Sequence, residues 1–179
     1  MFTNRKIAKF LIFLFCFIIF SSISQTNEDV PLNNIAINEI PKPISSLIFE
    51  DFSGNEINLK HYHGRLVIIN FWATWCAPCK KEMPSLDNLY QDNNFKNLQI
   101  FAVNMEQPNA LKTKKFFTDL NIKKLEIFFD RHLNFVKEFK LRGVPTTVLI
   151  NKGGEEFARI IGEVNFQDKR FLKWLSKYD

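Results

Sequence analysis

The sequence predicts a single α/β domain, a central mixed sheet flanked by helices with a β-hairpin ahead of it. Three observations carry that expectation. The run Leu66-Val67-Ile68-Ile69-Asn70-Phe71-Trp72 is almost continuously apolar and β-favouring, as in a strand covered on both faces. After it, strand-like and helix-like segments alternate, which calls for parallel neighbours joined by right-handed crossovers. Towards the end, Thr146 to Ile150 and Glu155 to Ile161 flank Lys152-Gly153-Gly154, a hairpin signal that adds antiparallel pairing.

The chain has 179 residues, of which 46% are hydrophobic and 20 are Phe. Without an N-terminal targeting segment about 150 remain, the size of one domain with one core. That core is large enough to fold without disulfide staples. Of the net charge of +5, Arg5, Lys6 and Lys9 supply three at the N-terminus, leaving +2 elsewhere. So small an excess is no nucleic-acid footprint, and no nucleic-acid partner is expected.

Residues 1–24 read as a signal peptide or signal anchor. Phe10 to Phe20 is wholly apolar, follows a basic stretch and precedes small residues at Ser22-Ile23-Ser24. A spanning helix needs about 20 apolar residues, and residues 7–23 come near that only with Lys9 and two serines inside. The positive charges hold the N-terminal end in the cytoplasm and send the rest outward, to the periplasm or cell envelope. Cys16 lies inside the apolar run behind bulky Phe15, which argues against lipid modification; it is expected to be a spectator.

Residues 25–44 are polar, with Pro31, Pro41 and Pro43 and no sustained period, and are expected to be a linker or extended lead-in. The domain is expected over 45–179. Leu47-Ile48-Phe49 and Ile57-Asn58-Leu59 surround a Gly/Asn turn and form the added hairpin. The buried strand Leu66 to Trp72 leads directly to the cysteines. Lys80 to Tyr90 has helical apolar spacing at Met83, Leu86, Leu89 and Tyr90, interrupted by Pro84, where a bend is expected. Leu98 to Val103 is a strand, Ala110 to Leu120 a helix, Leu125 to Phe129 a strand and His132 to Phe139 a short helix. Asp168 to Tyr178 closes the chain as an amphipathic helix.

The chemistry is concentrated at Trp75-Cys76-Ala77-Pro78-Cys79. A cysteine at a helix N-terminus meets unpaired N–H groups and the positive end of the dipole, which favours its thiolate. Cys76 takes that position and is expected to attack. Cys79 lies one turn on, and its sulfur reaches a mixed disulfide on Cys76 and resolves it. Pro78 suits the first turn, whose N–H groups lack partners anyway. Trp72 and Trp75 add apolar bulk. The pair also suits half a zinc site completed by His61, His63 or His132, or a structural disulfide, although bridging so short a gap removes little chain entropy.

The segment WATWCAPCKKEMP, residues 72–84, followed about sixty residues later by Gly143-Val144-Pro145-Thr146-Thr147, resembles the TlpA/ResA-like branch of membrane-anchored thioredoxins. The likeness runs from about Ser45 to Asp179. It implies a thioredoxin fold with an N-terminal β-hairpin, a βα-type insertion before the helix that leads to a cis-proline, and a reducing role in the bacterial envelope. By the same resemblance Pro145 is the cis-proline, Val144 and Thr146 contact a bound substrate strand, and Trp75 and Pro78 belong to the substrate surface. Glu82 matches an acidic residue of the ResA branch, three residues beyond Cys79 and on the same helix face, where it would hold a proton for Cys79. Read without the resemblance, Glu82 is equally a solvated helix carboxylate. Asn70 stands where ordinary thioredoxins carry a buried Asp, so their proton relay does not transfer unchanged.

The resemblance therefore implies a reductase of disulfides in exported proteins, recharged by a membrane dithiol donor. Apocytochrome c and oxidase copper-assembly proteins are the family substrates. It implies no cofactor beyond the Cys76–Cys79 disulfide and no resident metal. A thiol oxidase with the same residues, a Cu(I)- or zinc-binding assembly module and a scaffold are the competing readings.

Overall fold

The structure, a computed structural model, describes residues 32–179. The expected signal segment 1–24, its anchor 7–23 and Cys16 lie outside the described residues. Among the described residues, no helix is long and apolar enough to cross a membrane.

Strands β1 (Ile35–Pro43), β2 (Ile48–Asp51), β3 (Glu56–Asn58), β4 (Leu66–Trp72), β5 (Leu98–Asn104), β6 (Ile127–Phe129), β7 (Thr146–Ile150) and β8 (Glu155–Ile161) form one sheet. Its order is β1-β8-β7-β4-β5-β6-β2-β3. Helices α1 (Ala77–Tyr90), α2 (Ala110–Asp119), α3 (Asn134–Phe139) and α4 (Lys169–Leu175) complete the described fold. β4 pairs in parallel with β5, and β5 with β6, whereas β7 runs antiparallel to both β4 and β8. The sheet is thus mixed and the architecture is that of a thioredoxin-like α/β fold. The β2–β3 hairpin attaches to β6, antiparallel through Glu50↔Phe129 and Asp51↔Phe128.

β4 is buried along its whole length, and its two faces feed two apolar layers as the period of a strand requires. Leu66, Ile68 and Trp72 join a layer with Met83 and Leu86 of α1, Phe116 and Phe117 of α2, and Phe171 and Trp174 of α4. Val67, Ile69 and Phe71 join the other with Phe49, Phe101 and Phe135. Trp72 stacks on Phe116 with ring centroids 4.5 Å apart and meets Phe117 at 5.5 Å. Asn70, in step with Ile68 and Trp72, therefore faces α1 from inside the core.

Several boundaries differ from expectation for reasons of local hydrogen bonding. Residues 35–43, expected within a linker, form β1 and pair antiparallel with β8, Ile35 opposite Ile160 and Pro43 opposite Glu155. The register shifts between Ile37 and Lys42, which breaks the alternation a sequence reading looks for. Two prolines are tolerated there because an edge strand needs no ladder donor on its open side. β6 begins at Ile127 instead of Leu125 because the N–H groups of Lys123, Lys124 and Leu125 donate to the carboxylate of Asp87, at 3.1, 2.8 and 2.8 Å. α3 begins at Asn134 because the Asp130 carboxylate accepts from the N–H groups of Asn134 and Phe135, at 2.8 and 2.9 Å. Pro84 lies inside α1, which continues to Tyr90. α4 ends at Leu175, followed by a 3-10 turn over Ser176–Tyr178.

Candidate active site

β4 hands the chain at Trp72 to a tight turn, and Cys76 N–H donates to the carbonyl of Ala73 at 3.1 Å. Cys76 then caps α1. Its backbone is extended, and Cys79 N–H donates to its Sγ at 3.2 Å. Cys76 and Cys79 are joined in a disulfide, with Cα atoms 5.2 Å apart. Cys76 keeps a sliver of exposure, 3%, and Cys79 none. Trp75 is 69% exposed, and Ala77 and Pro78 are exposed beside it, so solvent meets the motif on its Trp-Ala-Pro side. The outer sulfur is the one at the helix N-terminus, where a thiolate is most stable.

Behind the pair, Glu82 is 2% exposed. It is no solvated helix carboxylate. Asn70 Nδ2 donates to its Oε1 at 2.8 Å, and Val164 N–H donates to its Oε2 at 3.0 Å. Asn70 Nδ2 also donates to Thr147 Oγ1 at 3.0 Å, tying the carboxyl to β7. Burial pushes the Glu82 carboxyl up to about 7, against the lowering effect of those two bonds. A carboxyl tuned to neutrality exchanges protons near neutral pH without a large driving force either way.

The turn before Cys76 has a support that sequence reasoning missed. Glu106, just beyond β5, accepts the N–H of Thr74 on Oε2 at 2.5 Å and the Lys112 ammonium on Oε1 at 2.5 Å. Its own N–H donates to Asn104 Oδ1 at 2.7 Å. Burial by itself would raise its carboxyl, but the bonds from Lys112 and Thr74 together outweigh it and hold the carboxyl below the ordinary range. No local motif marks Glu106, because its partner lies 32 positions away in the chain. The one available signal is a carboxylate directly after a buried parallel strand, at the end of a sheet where sites in such folds form.

The Val144–Pro145 bond is cis. Thr146 pairs with Phe71 at the start of β7, so Pro145 stands at the sheet end from which β4 runs to Cys76. Thr146 Oγ1 donates to the Gly143 carbonyl at 2.8 Å, and Gly162 N–H donates to the Pro145 carbonyl at 3.0 Å. Val144 is partly buried and packs against the layer that contains both cysteines. The structure thus brings Cys76, Cys79, Glu82, Val144, Pro145 and Thr146 to one end of the sheet, with Trp75 and Pro78 on its surface. Among the described residues, no group of three or more His, Cys, Asp and Glu is gathered as a metal site. His63 instead lies against Gly154, where an added Cβ would come within 2.4 Å of its Nε2.

The AhpC/TSA family profile matches residues 40–155. The thiol-disulfide oxidoreductase ResA of Halalkalibacterium halodurans is 36% identical over 110 residues, 62% of this chain and 61% of that protein. ResA of Bacillus cereus is 32% identical over 125 residues, 70% of this chain and 71% of its own length. Among solved structures, StoA from Bacillus subtilis superposes with a TM-score of 0.61 at 24% identity, covering 77% of this chain and 98% of that one. A thiol:disulfide interchange protein DsbE from Chlorobium tepidum gives 0.64 at 21% identity, covering 78% and 99%. These two structural likenesses speak for the fold.

Proposed function

Because the chain belongs to the AhpC/TSA family and, within it, to the ResA/TlpA-like thiol–disulfide oxidoreductases, we propose that it reduces disulfides in exported proteins. The observation that carries this reading is the setting of the two sulfurs, Cys76 at the N-terminus of α1 with Cys79 and the neutral-tuned Glu82 buried behind it.

In the reduced protein the Cys76 thiolate attacks one sulfur of the substrate disulfide. A Cys76–substrate disulfide forms and the other substrate sulfur leaves as a thiolate. Cys79 is fully buried, and Glu82 takes its proton. The Cys79 thiolate then attacks Cys76 Sγ, closing the disulfide and releasing the second substrate thiolate. Two electrons pass to the substrate, and a membrane dithiol donor returns two. Trp75, Pro78, Val144, Pro145 and Thr146 form the surface on which the substrate segment rests.

The reducing direction rests on the likeness to ResA, and the site of action, periplasm or cell envelope, on the basic-then-apolar order of residues 1–24. Apocytochrome c and copper-assembly proteins are the candidate substrates that the TlpA/ResA resemblance brings. The test is a measured reduction potential together with turnover of a protein disulfide. A potential below about −150 mV with net reduction supports the proposal; a higher potential with net oxidation of dithiols overturns it.

A further inference from the structure

Along Gly143-Val144-Pro145 runs a groove of about 650 Å³, lined by residues 140–146 and by Arg159, Ile161 and Gly162. Its lining includes Ile161, an apolar side chain that is 67% exposed. Gly143 has no left-handed backbone, and a Cβ added there would meet no atom within 4 Å. Neither backbone conformation nor internal packing calls for glycine at 143, whereas a chain lying in the groove would.

The groove also carries charge. No carboxylate lines it. Lys140 and Arg142 are exposed at its rim, and among the described residues neither side chain has an ion-pair or hydrogen-bond partner. Two neighbouring charges are already matched, since Arg159 binds Glu156 and Glu163 pairs with Lys81; Glu138 hydrogen-bonds Ser45 and shares a neighbouring cavity with Lys140, outside the groove lining. Lys140 moreover holds φ +48, in the left-handed region that glycine or asparagine occupies at lower cost.

We propose that this groove docks an acidic stretch of the substrate polypeptide beside the disulfide it brings to Cys76. An apolar side chain rests on Ile161 and the bare backbone of Gly143, and a carboxylate meets Arg142 and Lys140. This deepens the reductase reading and rests on it for the identity of the occupant.

The test uses two disulfide-bridged peptides that differ only in two flanking positions, Asp in one and Lys in the other, with the full chain as enzyme. The wild type is expected to favour the Asp peptide about fivefold in kcat/KM, as two exposed ion pairs allow, and to lose most of that in about 0.5 M salt. The K140E/R142E double variant is expected to reverse the ratio. Because the ratio is taken within one protein, a partly misfolded variant does not distort it. Binding of the same peptides with Ser for Cys reads the groove without a redox step. If binding shows the preference while no disulfide is reduced, the reductase reading falls and the groove stands. A wild-type ratio near one in both assays, or a ratio unchanged in the double variant, overturns the groove and leaves the reductase reading in place.

Discussion

Asn70 of β4 donates a 2.8 Å hydrogen bond to Glu82 of α1 with both side chains inside the core. The bond ties the strand that delivers the cysteines to the helix that begins on them. It also pulls the Glu82 carboxyl down, against the larger raising effect of its burial.

Asn70→Asp places a second carboxyl against Glu82, and the two will share one proton over a wide pH range. The variant is expected to lose about 2 kcal/mol relative to wild type above pH 8 and much less near pH 6. Urea unfolding at the two pH values checks this. An equal loss at both would mean that Asn70 acts by packing alone.

Glu82→Gln removes a carboxyl held at about 7 in the folded protein against an ordinary value of 4.5. With the folded pKa raised, the folded state binds the extra proton between those values. The contribution of this group to stability is therefore fullest below 4.5 and declines as pH rises through 7, by about 3 kcal/mol in all. The variant should show a flatter stability profile over that window and a displaced titration of the cysteine pair. Unchanged profiles in both would remove Glu82 from the proton path.

Cys79→Ser is expected to accumulate a mixed disulfide between Cys76 and its substrate, because no second thiol remains to resolve it. Cys76→Ser should accumulate none, its remaining thiol being fully buried. Non-reducing electrophoresis followed by mass spectrometry distinguishes the two.

Glu106→Gln exchanges a charged acceptor of the Thr74 N–H for a neutral one and breaks the pair with Lys112. A loss of about 1–2 kcal/mol is expected. A merely structural contact would stop there. If Glu106 positions the turn before Cys76, the pH profile of Cys76 alkylation in the reduced protein will shift as well, and Glu106→Asp will restore part of it.

Asp87→Asn is a control distant from the sulfurs. Its carboxylate accepts three successive N–H groups, from Lys123 to Leu125, and Asn turns an NH₂ towards at least one. A loss of about 2–4 kcal/mol with unaltered thiol titration is expected.

The strands and helices whose partners are solvent or a continuous apolar layer were readable one at a time: β4 from its unbroken apolar run, β7 and β8 from the Gly pair between them, α1 from its apolar spacing. β1 was not, because Pro41, Pro43 and a shifted register hide the alternation, and because its pairing partner β8 is more than a hundred residues away. The starts of β6 and α3 were missed for a related reason, since side chains of Asp87 and Asp130 take N–H groups that propensity alone assigns to a strand or a helix.

At the site, the sequence by itself determined the two sulfurs and the helix N-terminus on which Cys76 sits, because spacing along one element sets these. The likeness of its motifs pointed to Pro145 and Glu82. Tertiary structure alone decided that Glu82 is buried, bonded to Asn70 and Val164 and tuned near neutrality, and that Glu106 grips the turn at Thr74. A pKa and a hydrogen bond depend on what other parts of the chain remove water and present donors, and those parts meet only in the folded molecule.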